Sequence, residues 1–197
     1  MDIFKLTPEQ AAQSRQAALA WLIANHLEFS DQFWLVEVGV YAGEVAEALL
    51  TWFPMMCYLG VDTWLPRGED PLCRGKIGAY QRAQEVVGRY YPRARLIERN
   101  SVDAARDFAP QSIDLVFIDA AHTYAAVQAD LAAWTPIVKP GGILCGHDYG
   151  YIPEVGQAVD EFLGHAPDYI GCEADVWWVQ CSTTAAQQQP NDSATSA

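Results

Sequence analysis

The chain has 197 residues, of which 51% are hydrophobic and 12% aromatic, enough apolar material for one domain with a substantial core, and this excludes general disorder. A formal net charge of -13 and a pI near 4.5 argue against nucleic acid as the principal partner, because phosphate binding needs clustered Lys and Arg and no basic stripe is present. Cys57, Cys73, Cys145, Cys172 and Cys181 are odd in number and lack metal-type spacing, no apolar run is long enough to cross a bilayer and no signal peptide is read, so the expectation is reduced thiols in a cytoplasmic protein with no membrane partner.

In chain order, Thr7-Pro8-Glu9-Gln10 predicts a helix start, with Thr7 as N-cap and the helix running to about Leu27. Its Ala11, Ala18, Leu22 and Ile23 would face a sheet; Trp21 and Phe29 would pack in the core or, alternatively, serve a partner or cover a cofactor. Phe33 to Val38 reads as a buried strand closed by Gly39. A crossover helix follows, and the apolar run from Leu49 to Val61 leads to a second parallel strand that ends on Asp62. The polar stretch from Leu65 to Gly78 is either part of an acceptor pocket or lid, or an ordinary insertion.

A helix is expected from Ala79 to Tyr91, a strand from Ala94 to Glu98, and a further helix with Ser101 as N-cap. Ser112 to Asp119 is apolar on both faces and therefore a central strand. The helix from Tyr124 to Trp134 is stopped by Pro136, and Lys139-Pro140-Gly141-Gly142 turns into a fifth strand that delivers His147-Asp148-Tyr149. Pro153 opens a helix whose Val155, Val159 and Phe162 recur at helical spacing. Two final strands, Asp168 to Cys172 and Asp175 to Cys181, form a hairpin, with Trp177 and Trp178 on opposite faces and one of them available to an oligomer contact. The pattern is that of a single doubly wound α/β domain over residues 31–181, preceded by a helical segment at 1–30 and followed by a low-complexity tail at 182–197 that is expected to be disordered.

The first turn narrows the ligand. A dinucleotide fingerprint needs Gly-x-Gly-x-x-Gly, yet the segment reads Glu37-Val-Gly39-Val-Tyr41-Ala-Gly43, with Tyr41 where the close-approach glycine belongs. Glu37 would repel a pyrophosphate but favour an ammonium or sulfonium charge, and Asp62 is placed to accept hydrogen bonds from a ribose diol. A phosphate-free adenosine ligand satisfies both.

The segments VEVGVYAGEVA, LGVDTW, FIDAAHTYAAVQADLAAWTPIVKPGGILCGHDY and PEVGQAVDEF, in this order across residues 33–180, resemble the class I S-adenosylmethionine-dependent methyltransferases. Within that family the chain looks most like the small branch related to macrolide-sugar O-methyltransferases and cephalosporin-tailoring proteins. The resemblance implies a Rossmann-like, mostly parallel sheet closed by an antiparallel hairpin. It implies S-adenosylmethionine held by Glu37, Gly39, Tyr41, Gly43, Asp62, Thr63, Ser101 and Asp119, and a small-molecule acceptor such as a sugar or natural-product hydroxyl.

Two strand ends converge on Asp119, His122, His147 and Asp148. Methyl transfer to a hydroxyl needs the acceptor aligned and its proton removed. In the metal-dependent relatives an acid after the fourth strand and an acidic pair after the fifth hold an ion, which points to Asp119, His147 and Asp148 as ligands for magnesium or manganese. His147 stands where the third carboxylate is expected. The alternative is that His122 or His147 acts as general base. A nicotinamide-dependent oxidoreductase is disfavoured by Tyr41 and Glu37, and a non-catalytic cofactor-binding protein of the same fold is the reading from a different class. Self-association into a homo-oligomer is left open.

Overall fold

The computed structural model describes residues 3–28, 31–65 and 78–182. Helices α1 (Pro8–Ala11) and α2 (Arg15–His26) precede β1 (Phe33–Val38), α3 (Glu44–Trp52) and β2 (Met56–Asp62). Then come α4 (Ala79–Gly88), β3 (Ala94–Glu98), α5 (Ser101–Ala105), β4 (Ile113–Ile118) and α6 (Tyr124–Trp134). The chain closes with β5 (Val138–Gly146), α7 (Pro153–Leu163), β6 (Asp168–Ile170) and β7 (Val176–Gln180).

The strands form one sheet in the order β3-β2-β1-β4-β5-β7-β6, parallel from β3 through β5 and antiparallel at β7 and β6. This is the α/β architecture expected, with a detail the pattern did not reveal: β7 is inserted between β5 and β6. Because successive side chains alternate, the central strands bury both faces. Phe33, Leu35, Tyr58, Leu115, Phe117 and Cys145 pack with α2 and α3 on one side; Val36, Val38, Val116, Ile118 and Leu144 pack with α6 and α7 on the other. The strand order reverses between β1 and β4, so the crevice at the carboxyl ends of these two strands is the place for a ligand.

Five expectations are corrected. The first helix is two: Thr7 forms its capping box with Gln10, but the chain breaks after Ala11, and Ser14 caps α2 by accepting from Ala17 N at 3.1 Å. Asn100, not Ser101, caps α5, accepting from Val102 N and Asp103 N. Leu49 to Trp52 belongs to α3 and not to the following strand, and Lys139 to Gly142 extends β5 backwards instead of forming a turn outside it. Neither tryptophan of β7 projects freely: Trp177 is buried, and Trp178 is half-buried with its ring 4.3 Å from that of His26. Phe29, Cys73, most of the stretch from Leu65 to Gly78 and nearly all of the tail lie outside the described residues. Among the described residues no helix is long and apolar enough to cross a membrane.

Candidate functional site

The ladder of the sheet continues into the rim. Gly39 N donates to Val61 O at 2.8 Å, Asp119 N to Val38 O at 2.8 Å, and His147 N to Ile118 O at 3.1 Å, so the backbones that carry the site are fixed by the strands beneath them. Gly39 has φ +96°, and a Cβ there would stand 2.0 Å from the carbonyl oxygen of Asp119. Only glycine lets the turn after β1 lie against the segment after β4.

Two buried acids flank that turn. Asp62 Oδ2 accepts from Val40 N at 3.1 Å and Tyr41 N at 3.2 Å, and its Oδ1 accepts from Trp64 N at 2.9 Å. The amides that would cradle a phosphate in a dinucleotide turn are therefore already bound to an internal carboxylate. Tyr41 is held at φ 54° with its side chain half exposed, and its carbonyl accepts from Trp64 Nε1 at 2.8 Å. Trp64 in turn stacks on Tyr80 with ring centroids 4.5 Å apart. Gly43, at φ +85°, begins α3, whose first turn carries Glu44 and Glu47 and no base, which further discourages an anion.

Glu37 is 2% exposed and accepts a 2.5 Å hydrogen bond from Tyr58 Oη. That contact crosses Gly60, the residue paired with Glu37 in the register, where a Cβ would come 2.7 Å from the tyrosine oxygen. Burial raises the Glu37 carboxyl to about 8; the Tyr58 hydrogen bond opposes this, the charge of Asp119 reinforces it, and Arg15 opposes it. Ser101 is also buried and donates its hydroxyl to Asp130 of α6, tying α5 to α6. Thr63 caps its own neighbourhood, accepting from Leu65 N at 3.4 Å.

The second half of the rim is a cluster of acids and imidazoles. His122 Nε2 lies 3.0 Å from Asp148 Oδ2, His147 Nδ1 lies 3.0 Å from Asp148 Oδ1, and His147 Nδ1 lies 3.9 Å from Asp119 Oδ1. Burial alone would raise the Asp148 carboxyl, but hydrogen bonds from both histidines and their charge hold it well below the usual range. Burial pulls His147 down, and the Asp148 hydrogen bond together with the charges of Asp119 and Asp148 outweighs this and raises it. Asp148 has φ 63° and its loop is clamped from the hairpin: Asp175, fully buried, accepts from Gly150 N at 2.8 Å, Tyr151 N at 3.3 Å and Tyr169 Oη at 2.5 Å. Donor atoms of Asp119, His122 and Asp148 all lie within 4.8 Å of one another, so the compact set contains His122 in the position the sequence reading gave to His147.

The structure thus brings together Glu37, Gly39, Asp62 and Asp119 at the switch point and sets His122, His147 and Asp148 beside Asp119. Sequence reasoning missed Arg15, whose guanidinium donates to Asp119 Oδ2, and it missed Tyr58, Trp64, Asp130 and Asp175. A signal existed for Asp130, a carboxylate on the buried stripe of α6 with Val127, Leu131 and Trp134.

A family model described as a methyltransferase domain matches residues 36–149, from the middle of β1 to the loop after β5. The chain belongs to this methyltransferase family. A protein called y4gI from Sinorhizobium fredii is 30% identical over 88 residues, a match covering 45% of this chain and 10% of that protein. Among solved structures, a protein from Corynebacterium glutamicum superposes with a TM-score of 0.64 at 17% identity, over 91% of this chain and 83% of the other. The calicheamicin-biosynthesis TDP-rhamnose 3'-O-methyltransferase CalS11 gives 0.61 at 19% identity over 89% and 81%, and the O-methyltransferase NovP gives 0.53 at 20% identity over 89% and 79%. These likenesses establish the Rossmann-like methyltransferase fold.

Proposed function

We propose that this methyltransferase uses S-adenosylmethionine to methylate a hydroxyl oxygen of a small molecule of the sugar or natural-product class. The observation that carries the cofactor is the occupied turn: Val40 N and Tyr41 N are bound to Asp62, with buried Glu37 alongside, so the cleft suits a cationic nucleoside and not a pyrophosphate. The O-methyltransferases with the same fold, CalS11 and NovP, support the choice of oxygen.

Glu37, Gly39, Tyr41, Gly43, Asp62, Thr63, Ser101 and Asp119 would hold the cofactor, which when bound supplies an electrophilic methyl group on a sulfonium. Glu37 gains a reason to ionise when a cation enters its buried surroundings. Asp148 grips His147 at Nδ1, and His147 Nε2 makes no hydrogen bond among the described residues, so that nitrogen is the one we assign to take the acceptor proton. Asp148 also steadies His122. Two carboxylates and an imidazole form a chemically suitable donor set for manganese or a similar ion, so Asp119, His122 and Asp148 would hold a metal, whose contribution would be to acidify and orient the acceptor hydroxyl.

Calorimetry with S-adenosylmethionine, S-adenosylhomocysteine and NAD tests the reading. Binding of the first two without NAD is expected; tight NAD binding with no response to either would overturn it. Titrating chelator-treated protein with Mn²⁺ tests the metal separately, and absence of binding removes that assignment alone.

A further inference from the structure

Arg15 is the first residue of α2, presented by the Ser14 cap, and its side chain is 37% exposed. One guanidinium nitrogen donates to Asp119 Oδ2, the residue against which the Gly39 turn closes. Among the described residues Arg15 makes no other hydrogen bond, so the remaining donors of its partly exposed planar fork are left without a protein partner beside Asp119. Five other arginine and lysine side chains pair elsewhere: Arg82 and Arg89 with Glu47, Arg99 with Asp107, Arg106 with Asp103 and Lys139 with Asp114. A guanidinium braced by one carboxylate is pre-oriented to receive a second, because the fork matches carboxylate geometry and little side-chain freedom remains to be lost.

Around it stand the acids Glu37, Asp119 and Asp148, with the imidazoles of His122 and His147 paired to Asp148. Glu37 lies close enough to feel the charge of both Arg15 and Asp119. A ligand carrying an ammonium and a carboxylate on one carbon would find an acid for the first and a fork for the second. Building on the cofactor assignment above, we propose that Arg15 is the residue that recognises the α-carboxylate of the amino-acid end of the cofactor, held ready for it by Asp119. Arg15 is thereby a specificity-determining residue contributed by the N-terminal helices, ahead of the segment matched by the family model.

The test compares two ligands on the full chain by calorimetry. S-adenosylhomocysteine keeps the amino-acid end; 5'-deoxy-5'-methylthioadenosine keeps the nucleoside and sulfur but lacks it. Replacing Arg15→Met should weaken S-adenosylhomocysteine by about 10- to 100-fold, the size of a charge-assisted contact, and leave methylthioadenosine within about twofold. Arg15→Lys, which keeps the charge beside Asp119 but not the fork, should lose less on the same ligand and guards against a folding defect in the first variant. Equal losses for both ligands, or an unchanged affinity for S-adenosylhomocysteine with a raised acceptor KM, would overturn the assignment. If the native chain binds neither nucleoside, the cofactor reading itself falls, an outcome distinct from a failure of Arg15.

Discussion

The two halves of the rim are built differently. At the ends of β1 and β2, Glu37 and Asp62 are buried and bound to the fold itself, to Tyr58 and to the amides of the glycine turn. At the ends of β4 and β5, Asp119, His122, His147 and Asp148 are only partly covered and bound chiefly to one another and to Arg15. The first half shapes a cavity by backbone and burial, and altering it disturbs folding. The second half is a set of titratable groups standing on a finished scaffold, and altering it should disturb chemistry first.

Breaking the first half directly gives the largest effect. Gly39→Ala would push a Cβ against the Asp119 carbonyl at 2.0 Å in a left-handed backbone, with an expected loss of more than ~3 kcal/mol, seen as a chain that expresses in aggregates or melts far below the native protein. Breaking the second half should separate chemistry from folding. Asp148→Asn, which tolerates φ 63°, is expected to lower kcat by roughly 10²- to 10⁴-fold and leave cofactor affinity little changed, with a fall in melting temperature from the lost charge pairing with His122 and His147 that stays well short of the one for Gly39→Ala. A protein that unfolds on this change would show that the two halves are not separable.

Glu37 sharpens the contrast through pH. Its folded-state value near 8 lies above an unfolded value near 4.5, so the fold favours the protonated form. The stability this contributes is complete below about pH 4.5 and is lost as pH rises toward about 8, a decline of order 1.4 kcal/mol per pH unit in denaturant titrations. Glu37→Gln should flatten that slope and leave the protein more stable at pH 8 by roughly 2–4 kcal/mol, while weakening binding of a cationic ligand. For the native protein, affinity for such a ligand should climb with pH and level off near 8, with proton release measurable as a buffer-dependent heat of binding. Tyr58→Phe should have the smallest effect, about 1 kcal/mol of stability and a further rise in the Glu37 value, measured by the midpoint of the same slope.

Central strands were readable because both-face burial writes continuous apolar runs, as at Phe33 to Val38; the edge strand Ala94 to Glu98 and the helices from Tyr124 and from Pro153 also fall where the pattern puts them. The break between α1 and α2 was not, since Ala12 and Gln13 carry no helix-stopping chemistry and Ser14 alone marks the new start. The rim acids could be found from their places at strand ends. Their partners could not, because nothing local ties Arg15 to a carboxylate 104 positions away, or Tyr58 to Glu37 across a paired strand. Asp175 was hidden for the same reason: its three donors belong to a loop and a strand that come near it only after the hairpin folds back.

The hairpin has a consequence for biosynthesis. As the chain emerges from the ribosome, the loop bearing Asp148 is made before its anchor, Asp175, and before β7, which slots in beside β5. A product truncated after α7 would carry all the rim acids and both histidines yet lack the clasp on the Asp148 loop, so the two hairpin strands act as a catch on a rim made before them.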